Sequence, residues 1–354
     1  MDTGTEPTMS ELPGVSIVIP NHNYERFIAA AIESALAQDH PRCEVIVVDD
    51  ASTDGSRAVI ERYADRVRTV FLPKNGGQVM ALNAGWPLAR HEILIFLDSD
   101  DLLVPHAAST IARNWRPGIA KIQFPMRSID AEGRSLHHVA PKYPRRLSTE
   151  TLRDFLLRVG TSPSTPGSGN AYAKWLLEKI SPIRGLAWMD SILEVNAPFH
   201  GDVVTLLEPL ACYRMHGDNW SQHGNLGADR FDRQIKFFDQ KMSYLDNFFQ
   251  GLDMPFDREA ARNRSIWYHE CQIAVSRLSG PGHPRYVPPM RVVESALRAF
   301  LSSPYSLKSR TTLLVWLTLV AVLPKHWAEQ LINFRFNVTS RPSWLEPVIR
   351  RLAS

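Results

Sequence analysis

Short, mostly apolar runs alternate with stretches of helical spacing in the first part of the chain. The runs Val15–Ile19, Glu44–Val48 and Ile93–Leu97 are bounded by polar residues and predict buried strands. Apolar positions recur at helical spacing after the first two runs, at Ile28, Ile32, Ala35 and Leu36 and then at Val59, Ile60 and Tyr63. This alternation of strand and helix predicts an α/β fold built on a mainly parallel sheet.

Polar clusters follow each of these predicted strands. They are Pro20-Asn-His-Asn23, Asp49-Asp50-Ala-Ser-Thr-Asp54-Gly55 and Asp98-Ser-Asp-Asp101. In an open parallel sheet the ligand lies outside the carboxyl ends of the strands. We therefore expect the three clusters to converge on one crevice, although they are far apart in the sequence.

The acidic cluster Asp98–Asp101 is the most informative chemical feature of the chain. Its carboxylates follow a buried run, which would deliver them to an exposed strand end. Oxygen ligands suit Mg²⁺ or Mn²⁺, which typically take one or two protein carboxylates and fill the remaining positions with substrate phosphates and water. The cluster therefore indicates a divalent cation and a diphosphate partner. The alternative is an acidic turn in which Asp101 is the N-cap of the next helix.

The whole series of motifs resembles the family 2 glycosyltransferases over residues 14 to 220. The resemblance is carried by Pro20, Asn23, Asp49-Asp50-x-Ser52-x-Asp54-Gly55, Asn75-x-Gly77, Asn83-x-Gly85 and Asp98-x-Asp100-Asp101. It implies the GT-A fold, which is a Rossmann-like, mixed and mainly parallel sheet flanked by helices. It also implies that a metal-dependent hexosyltransferase, using Mg²⁺ or Mn²⁺, transfers a sugar from a nucleotide-sugar donor with inversion.

The resemblance assigns the donor to the strand ends and to the loops beside them. His22 stands where the family usually has an aromatic residue that stacks on the base, and an imidazole can still stack. Asp50 would accept a hydrogen bond from a ring N–H of the base, which favours a UDP-sugar, although guanine offers the same donor group. The residues expected to bind the donor are Pro20, His22, Asn23, Asp49, Asp50, Asn75, Gly77, Asn83, Asp98, Ser99 and Arg214.

Some of these motif positions also have structural explanations. Asp54 can cap a helix that begins at Gly55 or Ser56. Asn75–Gly77 and Asn83–Gly85 are expected to flank a short helix, where glycine permits tight turns or a close approach to a ligand.

On the metal side, the resemblance places Asp98 near the donor ribose and Asp100 on the cation. The expected metal ligands are Asp100, Asp98 and His216. Arg214 and His216 would lie where the leaving diphosphate develops charge, and either group could stabilise it. Asp101 is expected to cap the next helix.

On the acceptor side, Gly169 belongs to a loop that resembles the one at the acceptor entry of the family. Trp188 could form a flat platform for a sugar ring. Asp190 aligns with the acid that takes the proton from the acceptor hydroxyl, at the start of a predicted helix. Met189 replaces the first of the two acids that are common there. The alternative for Asp190 is a structural N-cap.

Composition narrows the remaining choices. The chain has 354 residues, 44% apolar and 22% charged, which suffices for one large soluble domain and an appendage. A net charge of +3 is too small to indicate a nucleic-acid partner. The three cysteines, Cys43, Cys212 and Cys271, lack close spacing, which argues against a disulfide scaffold or a zinc site and favours the cytoplasm.

The expected organisation has three parts. Residues 1–13 are polar, have no apolar signal region and are expected to form a disordered lead. Residues 14–222 form the catalytic domain, with a nucleotide-sugar half at 14–125 and an acceptor half at 126–222. Residues 223–354 have helical spacing and form a C-terminal extension.

One segment of the extension, Thr311–Leu323, is nearly all apolar but too short to span a bilayer. Cationic residues surround it, at Lys308, Arg310, Lys325, His326, Arg335, Arg341, Arg350 and Arg351. This pattern favours peripheral contact with the cytoplasmic face of an anionic membrane. The alternative is a core or dimer-forming helix with solvated flanks.

We therefore expect an inverting glycosyltransferase that acts on a hydroxyl of a saccharide or lipid-linked acceptor, in the synthesis of a cell-surface polysaccharide, glycolipid or glycoconjugate. A sugar-phosphate nucleotidylyltransferase shares the nucleotide-binding architecture, but Pro20-Asn-His-Asn23 is not the glycine-rich basic stretch that it would carry. A relative that binds sugar nucleotides without turnover is a third hypothesis, which Met189 and His22 leave open.

Overall fold

The structure, a computed structural model, describes residues 8–143, 145–186, 189–216, 227–300 and 302–337. The chain divides into two compact units. The first comprises residues 1–156 and 162–216, and the second comprises residues 157–161 and 217–354. The division after residue 216 lies close to the domain boundary at 222 that the sequence predicts.

The chain up to residue 216 contains strands and helices in alternation. The strands are β1 (Val15–Asn21), β2 (Cys43–Asp49), β3 (Arg68–Phe71), β4 (Ile93–Phe96), β5 (Leu102–Leu103), β6 (Ile119–Gln123), β7 (Met126–Ile129), β8 (Ser135–Ala140), β9 (Asn170–Ala173), β10 (Asp202–Thr205) and β11 (Ala211–Arg214). The helices are α1 (Ile28–Leu36), α2 (Ser56–Glu61), α3 (Gln78–Gly85), α4 (Ala107–Arg113), α5 (Thr149–Val159), α6 (Lys174–Ile180) and α7 (Met189–His200). The three strands expected from the apolar runs are present as β1, β2 and β4.

The strands form two sheets. The larger sheet has seven strands in the order β10-β6-β9-β4-β1-β2-β3, and only β9 runs antiparallel to its neighbours. Every residue of β1 is buried, as expected for a strand covered on both faces. The smaller sheet has the order β5-β11-β7-β8. The expectation of a mixed, mainly parallel sheet flanked by helices is confirmed.

The register brings the polar clusters to one edge of the larger sheet. β1 pairs in parallel with β2 on one side and with β4 on the other. Asn21 lies opposite Asp49, and Val18 lies opposite Phe96. The residues that follow these strands, including Asp98, therefore leave the sheet side by side. The antiparallel pairing of β11 with β5 then returns the chain alongside the acidic cluster.

Three local expectations are corrected. Asn83–Gly85 does not flank a helix but forms the last turn of α3, because α3 packs closely on β1 and β2 there. Asp101 is not a helix cap, since α4 begins at Ala107. Residues 8–13, the described part of the expected disordered lead, are held against the first unit: Leu12 is buried, and its carbonyl accepts a hydrogen bond from Arg42.

The second unit is helical, as the sequence predicts. Its helices are α8 (Ala228–Gly251), α9 (Arg258–Arg264), α10 (Ile266–Ser279), α11 (Pro289–Phe300), α12 (Leu307–Val322) and α13 (Lys325–Phe336). α10 is central and packs against α8, α11, α12 and α13. Among the described residues, no helix combines the length and the apolar character that crossing a membrane requires.

Replacing Gly85 with alanine is expected to lower the free energy of unfolding by about 1–3 kcal/mol. The added methyl group would lie 2.7 Å from methyl groups of both Val18 and Val48. Gly251 is the matched control, because it also ends a helix and a methyl group there meets nothing within 4 Å. Urea denaturation of the two variants would measure the difference. Equal stabilities would contradict the close packing of α3 on the sheet.

Candidate functional site

The acidic cluster after β4 is fixed by a serine from a distant loop. The Ser168 hydroxyl accepts a hydrogen bond from the backbone N–H of Asp98 and donates one to Oδ2 of Asp101, at 3.0 and 2.7 Å. Asp101 is almost fully buried, and its other carboxylate oxygen accepts the backbone N–H of Arg214. Asp101 thus ties the cluster to the 3₁₀ turn Gly167–Gly169 and to β11. Its role in this structure is to position its neighbours.

The return strand brings Arg214 and His216 to the same cluster. The Arg214 guanidinium is buried, donates from Nε to the carbonyl oxygen of Asp100 at 2.7 Å, and lies over the ring of Phe27. His216 Nε2 lies 2.9 Å from Oδ2 of Asp100. The His216 ring packs on Phe27, with the ring centres 4.7 Å apart. Arg214, expected to bind the donor, therefore holds the backbone of the cluster. His216 contacts the side chain of Asp100, the predicted metal ligand.

The site carries more negative charge than its surroundings easily accommodate. Burial, with the nearby carboxylates of Asp100 and Asp190, raises the pKa of Asp98 to about 8. Burial, together with Asp100 and Asp98, also raises the pKa of Asp101. Since repulsion between close carboxylates disfavours their charged forms, a cation bound among them would be strongly favoured.

Asp190 lies at the same edge, across Gly167 from Asp98. The backbone N–H of Gly167 points to Oδ2 of Asp190 at 3.4 Å. A side chain on Gly167 would collide with Oδ2 of Asp98, at 2.3 Å. The predicted helix at Asp190 is present as α7, whose first residue is the buried Met189. The structure therefore brings together the predicted base, the predicted ribose contact and a loop whose glycine leaves space between them.

A cavity of about 10 Å³, the size of one water molecule, separates these groups. Asp98, Gly167 and Asp190 line it, together with Gln78, Leu82, Phe96, Tyr172 and Met189. Tyr172 is buried, and among the described residues its hydroxyl has no hydrogen-bond partner. Burial raises the pKa of this hydroxyl, with Asp190 the next contributor, so it is a neutral donor at ordinary pH.

The ends of β1 and β2 are joined by a network of side chains. Asp49 accepts hydrogen bonds from Asn21 and from both the N–H and the hydroxyl of Ser52. The Asn23 side-chain oxygen accepts the backbone N–H of Thr53 at 2.7 Å. Asp49 and Asn23, both expected to bind the donor, therefore shape the loop at this edge.

The Asp54 side chain supports the start of α2, in line with the structural explanation for it, although the N-cap position is Gly55. Its Oδ1 accepts the backbone N–H of Ser56, the first residue of α2, at 2.9 Å. Hydrogen bonds from Ser56 and Glu25 lower the pKa of Asp54, outweighing its partial burial.

Asp50 and His22 hold the loop that precedes α3. The two carboxylate oxygens of Asp50 accept the backbone N–H groups of Gly76 and Gly77, at 2.8 and 2.7 Å. His22 Nδ1 lies 2.8 Å from the carbonyl oxygen of Asp50, and its Nε2 lies 2.8 Å from the amide nitrogen of Asn75. Four of the predicted donor-binding residues thus form one contiguous group. Gly77 has a φ of 81°, which explains the need for glycine at this position.

The remaining predicted site residues do not contact the acidic cluster through any hydrogen bond described above. The Asn83 amide donates to the carbonyl oxygen of Ile183, and Asn83 Oδ1 accepts the indole N–H of Trp86, so both ends of this side chain contact the protein. Pro20 and Ser99 are buried. Gly169 packs against Thr165 and Phe124, which leave no room for a side chain. Trp188 lies outside the described residues.

Three residues of the site were not identified from the sequence. Gln78 donates from its amide to Oδ1 of Asp98 at 2.9 Å. Its position at the start of α3, after two glycines, is the only local signal for it. Ser168 belongs to the loop predicted around Gly169, but the sequence does not indicate that its hydroxyl binds the acidic cluster. Tyr172 reaches the site because β9 pairs with β4, and no sequence motif predicts that pairing.

The side chains present fit a divalent cation that is shared with a ligand. Among the residues that the structure describes, no group of three or more His, Cys, Asp or Glu side chains is arranged to hold a metal ion. Asp100 and His216 are adjacent, whereas Asp98 is engaged by Gln78. Mg²⁺ is typically held by one or two protein carboxylates, with phosphate oxygens and water completing its coordination. The donor set therefore suits a cation that binds together with a diphosphate.

Known proteins resemble the chain in sequence. The family model described as Glycosyl transferase family 2 matches residues 16–163. The uncharacterized glycosyltransferase alr2836 of Nostoc sp. is 31% identical over 274 residues, which cover 73% of this chain and 84% of that protein. The succinoglycan biosynthesis protein ExoO of Rhizobium meliloti is 36% identical over 154 residues, 42% of this chain and 44% of that protein.

Solved structures resemble it in fold. S. aureus TarS 1–349 in complex with UDP-GlcNAc has a TM-score of 0.55 at 17% identity, covering 92% of this chain and 90% of that one. The mannosyltransferase PcManGT from Pyrobaculum calidifontis, in complex with GDP-Man and Mn²⁺, has a TM-score of 0.53 at 17% identity, covering 96% and 91%. At such low identity these likenesses concern the fold alone.

Proposed function

Because the chain belongs to the family 2 glycosyltransferases, we propose that it transfers a sugar from a nucleotide-sugar donor to an acceptor hydroxyl with inversion. Its GT-A fold with a helical C-terminal region, expected from the sequence, is confirmed by the fold likeness to TarS and PcManGT. The observation that carries the proposal is the meeting of Asp98, Asp100 and Asp190 at the carboxyl ends of the strands. This family membership removes the nucleotidylyltransferase alternative.

The donor is proposed to lie along the edge from β2 to β4. Its base would lie near His22 and Asp50, and its ribose near Asp98. The carboxylate oxygens of Asp50 already accept two backbone N–H groups, yet each oxygen has a second lone pair for a ring N–H of the base. A uracil base, and therefore a UDP-sugar, is favoured, and UDP-GlcNAc is the ligand in the TarS complex.

The diphosphate is proposed to lie beside Asp100 and His216, which would hold Mg²⁺ or Mn²⁺. A divalent cation bound there supplies positive charge that stabilises the leaving diphosphate. Support for this assignment comes from the raised pKa of Asp98, which burial and the nearby carboxylates cause, and from the Mn²⁺ in the PcManGT complex. Arg214 would orient the site by holding the backbone of Asp100.

Asp190 is proposed to be the general base. It lies on the far side of Gly167 from Asp98, where an acceptor hydroxyl could approach the anomeric carbon opposite the leaving group. Its carboxylate would take the proton from that hydroxyl as the new glycosidic bond forms and the bond to the diphosphate breaks. Inversion follows from this single displacement.

The acceptor is proposed to be a saccharide or a lipid-linked saccharide in cell-surface polysaccharide synthesis. The relative ExoO is named for succinoglycan biosynthesis, which supports this class of acceptor. Gly169 and Trp188 stay the predicted acceptor contacts. Gly169 shapes the turn beside Asp190 through its close packing on Thr165.

Asp100→Ala is expected to weaken manganese-dependent UDP binding by about tenfold or more, since even the loss of an outer partner of a metal ligand commonly costs that much. Calorimetric titration of UDP with and without Mn²⁺ would measure the change, with thermal unfolding as the check that the variant is folded. Asp65→Ala, at an exposed position, is the control. An unchanged affinity in a folded Asp100→Ala protein would show that the metal assignment is wrong.

Asp190→Asn is expected to lower turnover by about a hundredfold or more, because general-base catalysis commonly contributes that much. Donor affinity should remain, since an amide oxygen can still accept the Gly167 N–H. The rate of UDP release with an acceptor panel and calorimetry with UDP separate the two effects. Transfer at nearly the wild-type rate would eliminate Asp190 as the base.

We also propose that the enzyme works on the cytoplasmic membrane surface through the exposed side of α12. Leu313, Leu317 and Val320 of α12 are buried, whereas Leu307, Val315 and Val322 on its other side are 70%, 59% and 60% exposed. Lys308 and Lys325 flank this apolar side and are exposed. An apolar strip with cations at its ends suits an anionic lipid surface.

Val315→Ser combined with Val322→Ser is expected to abolish flotation with anionic vesicles at low salt. Leu207→Ser with Leu252→Ser is the matched control, because these side chains are also exposed but lie elsewhere, at 48% and 39%. Point substitutions are preferable to deletion, since α12 and α13 contribute to the core of their unit. Wild-type protein that stays in the soluble fraction would contradict the membrane proposal.

A further inference from the structure

A groove of about 570 Å³ lies in the helical unit, between α9 and α11. Three arginines line it: Arg264 at the end of α9, and Arg291 and Arg298 on α11. Glu294 is the one acidic residue in the lining. The groove therefore combines a volume suited to a small ligand with an excess of positive charge.

Within the described part of the chain, these arginines have no carboxylate partner. Arg264 donates from Nε to the hydroxyl of Ser302, which also lines the groove, at 3.2 Å. Among the described residues, no side-chain hydrogen bond or ion pair occupies Arg291 or Arg298. Three guanidinium groups at one groove repel one another, so the arrangement stabilises the fold little by itself.

Two other arginines of the same unit are paired with carboxylates. Arg285 makes ion pairs with Asp232 and Asp239, at 2.8 and 3.1 Å. Arg335 pairs with the buried Glu270. These two arginines are thus matched with acids where they support helix packing. The groove differs, because its cations face a cavity.

The guanidinium groups of the groove suit phosphate. Arg291 and Arg298 are seven residues apart on α11, which places them on one face with a rise of about 10 Å between them. The planar guanidinium fork matches phosphate oxygens in a bidentate manner. Ser302 and Asn263, which also line the groove, add neutral polar groups.

We propose that this groove binds a phosphate-bearing group, such as a phosphodiester or a diphosphate. Met290 and Leu297, each one residue before an arginine of the groove, are 47% and 55% exposed. An apolar edge beside a cationic groove suits an amphiphile, so the group can come from a lipid headgroup or from a soluble phosphate compound. The proposal does not rest on transferase activity, since all its residues belong to the helical unit.

The test is calorimetric titration of the full chain with inorganic pyrophosphate, in EDTA so that metal-dependent binding at the acidic cluster is suppressed. Arg291→Gln combined with Arg298→Gln removes two cations from exposed positions, so the fold should persist. Arg62→Gln with Arg66→Gln is the matched control, because both residues are exposed on the first unit and the net charge changes equally. Donor hydrolysis, measured with Mn²⁺, reports separately on the transferase site.

The wild type and the control should bind pyrophosphate saturably, and the groove variant should bind it about tenfold more weakly or worse. Co-sedimentation with phosphatidylglycerol vesicles, compared with phosphatidylcholine vesicles, identifies the source. If binding to the anionic vesicles is lost in the groove variant and is competed by pyrophosphate, the ligand is a lipid headgroup. If only pyrophosphate binding depends on the arginines, the ligand is a soluble phosphate. Equal pyrophosphate binding by the groove variant and the wild type, or no saturable binding by the wild type, would overturn the proposal.

Discussion

The crowding of carboxylates at the end of β4 is the constraint on which the rest of the site depends. Asp98, Asp100 and Asp101 lie within four consecutive positions, and Asp190 is close enough to raise the pKa of Asp98 further. Bringing like charges together in a partly buried place costs free energy unless hydrogen bonds or a cation offset it. The surrounding structure supplies hydrogen bonds, and the chemistry of nucleotide-sugar transfer would supply the cation.

The elements that make this crowding tolerable come from distant parts of the chain. Ser168 binds Asp98 and Asp101 from one side, and Arg214 holds Asp101 and the backbone of Asp100 from the other. Leaving a buried partner of this kind unsatisfied typically costs about 1–3 kcal/mol. Ser168 and Arg214 therefore act on the chemistry by fixing where the carboxylates point, and they need not touch the substrate to matter.

The two units use charge in different ways. The first concentrates acids at one sheet edge, where phosphates could bind only with the help of a cation. The second concentrates arginines in a groove, where a phosphate-bearing group would bind directly. Both arrangements leave charges of one sign close together. Their repulsion lowers the stability of the fold, and it favours the binding of a ligand of opposite charge. Arg285 and Arg335, elsewhere in the helical unit, are each paired with a carboxylate.

The sequence by itself determined three of the strands, β1, β2 and β4, and the polar residues at their ends. Strand periodicity and buried apolar runs are local properties, so β1, β2, β4 and the opening of α7 were predictable from neighbouring residues. Parallel pairing then implied one common edge for Pro20–Asn23, Asp49–Asp50 and Asp98–Asp101. The tertiary structure alone decided which of those side chains support the loops and which face the cavity. Asp101 was predicted to cap a helix. Its actual partners, Ser168 and Arg214, are 67 and 113 residues away in the sequence, so no local pattern indicates them. Gln78 and Tyr172 were missed for the same reason, since a side chain acquires such a role only from contacts that chain folding creates.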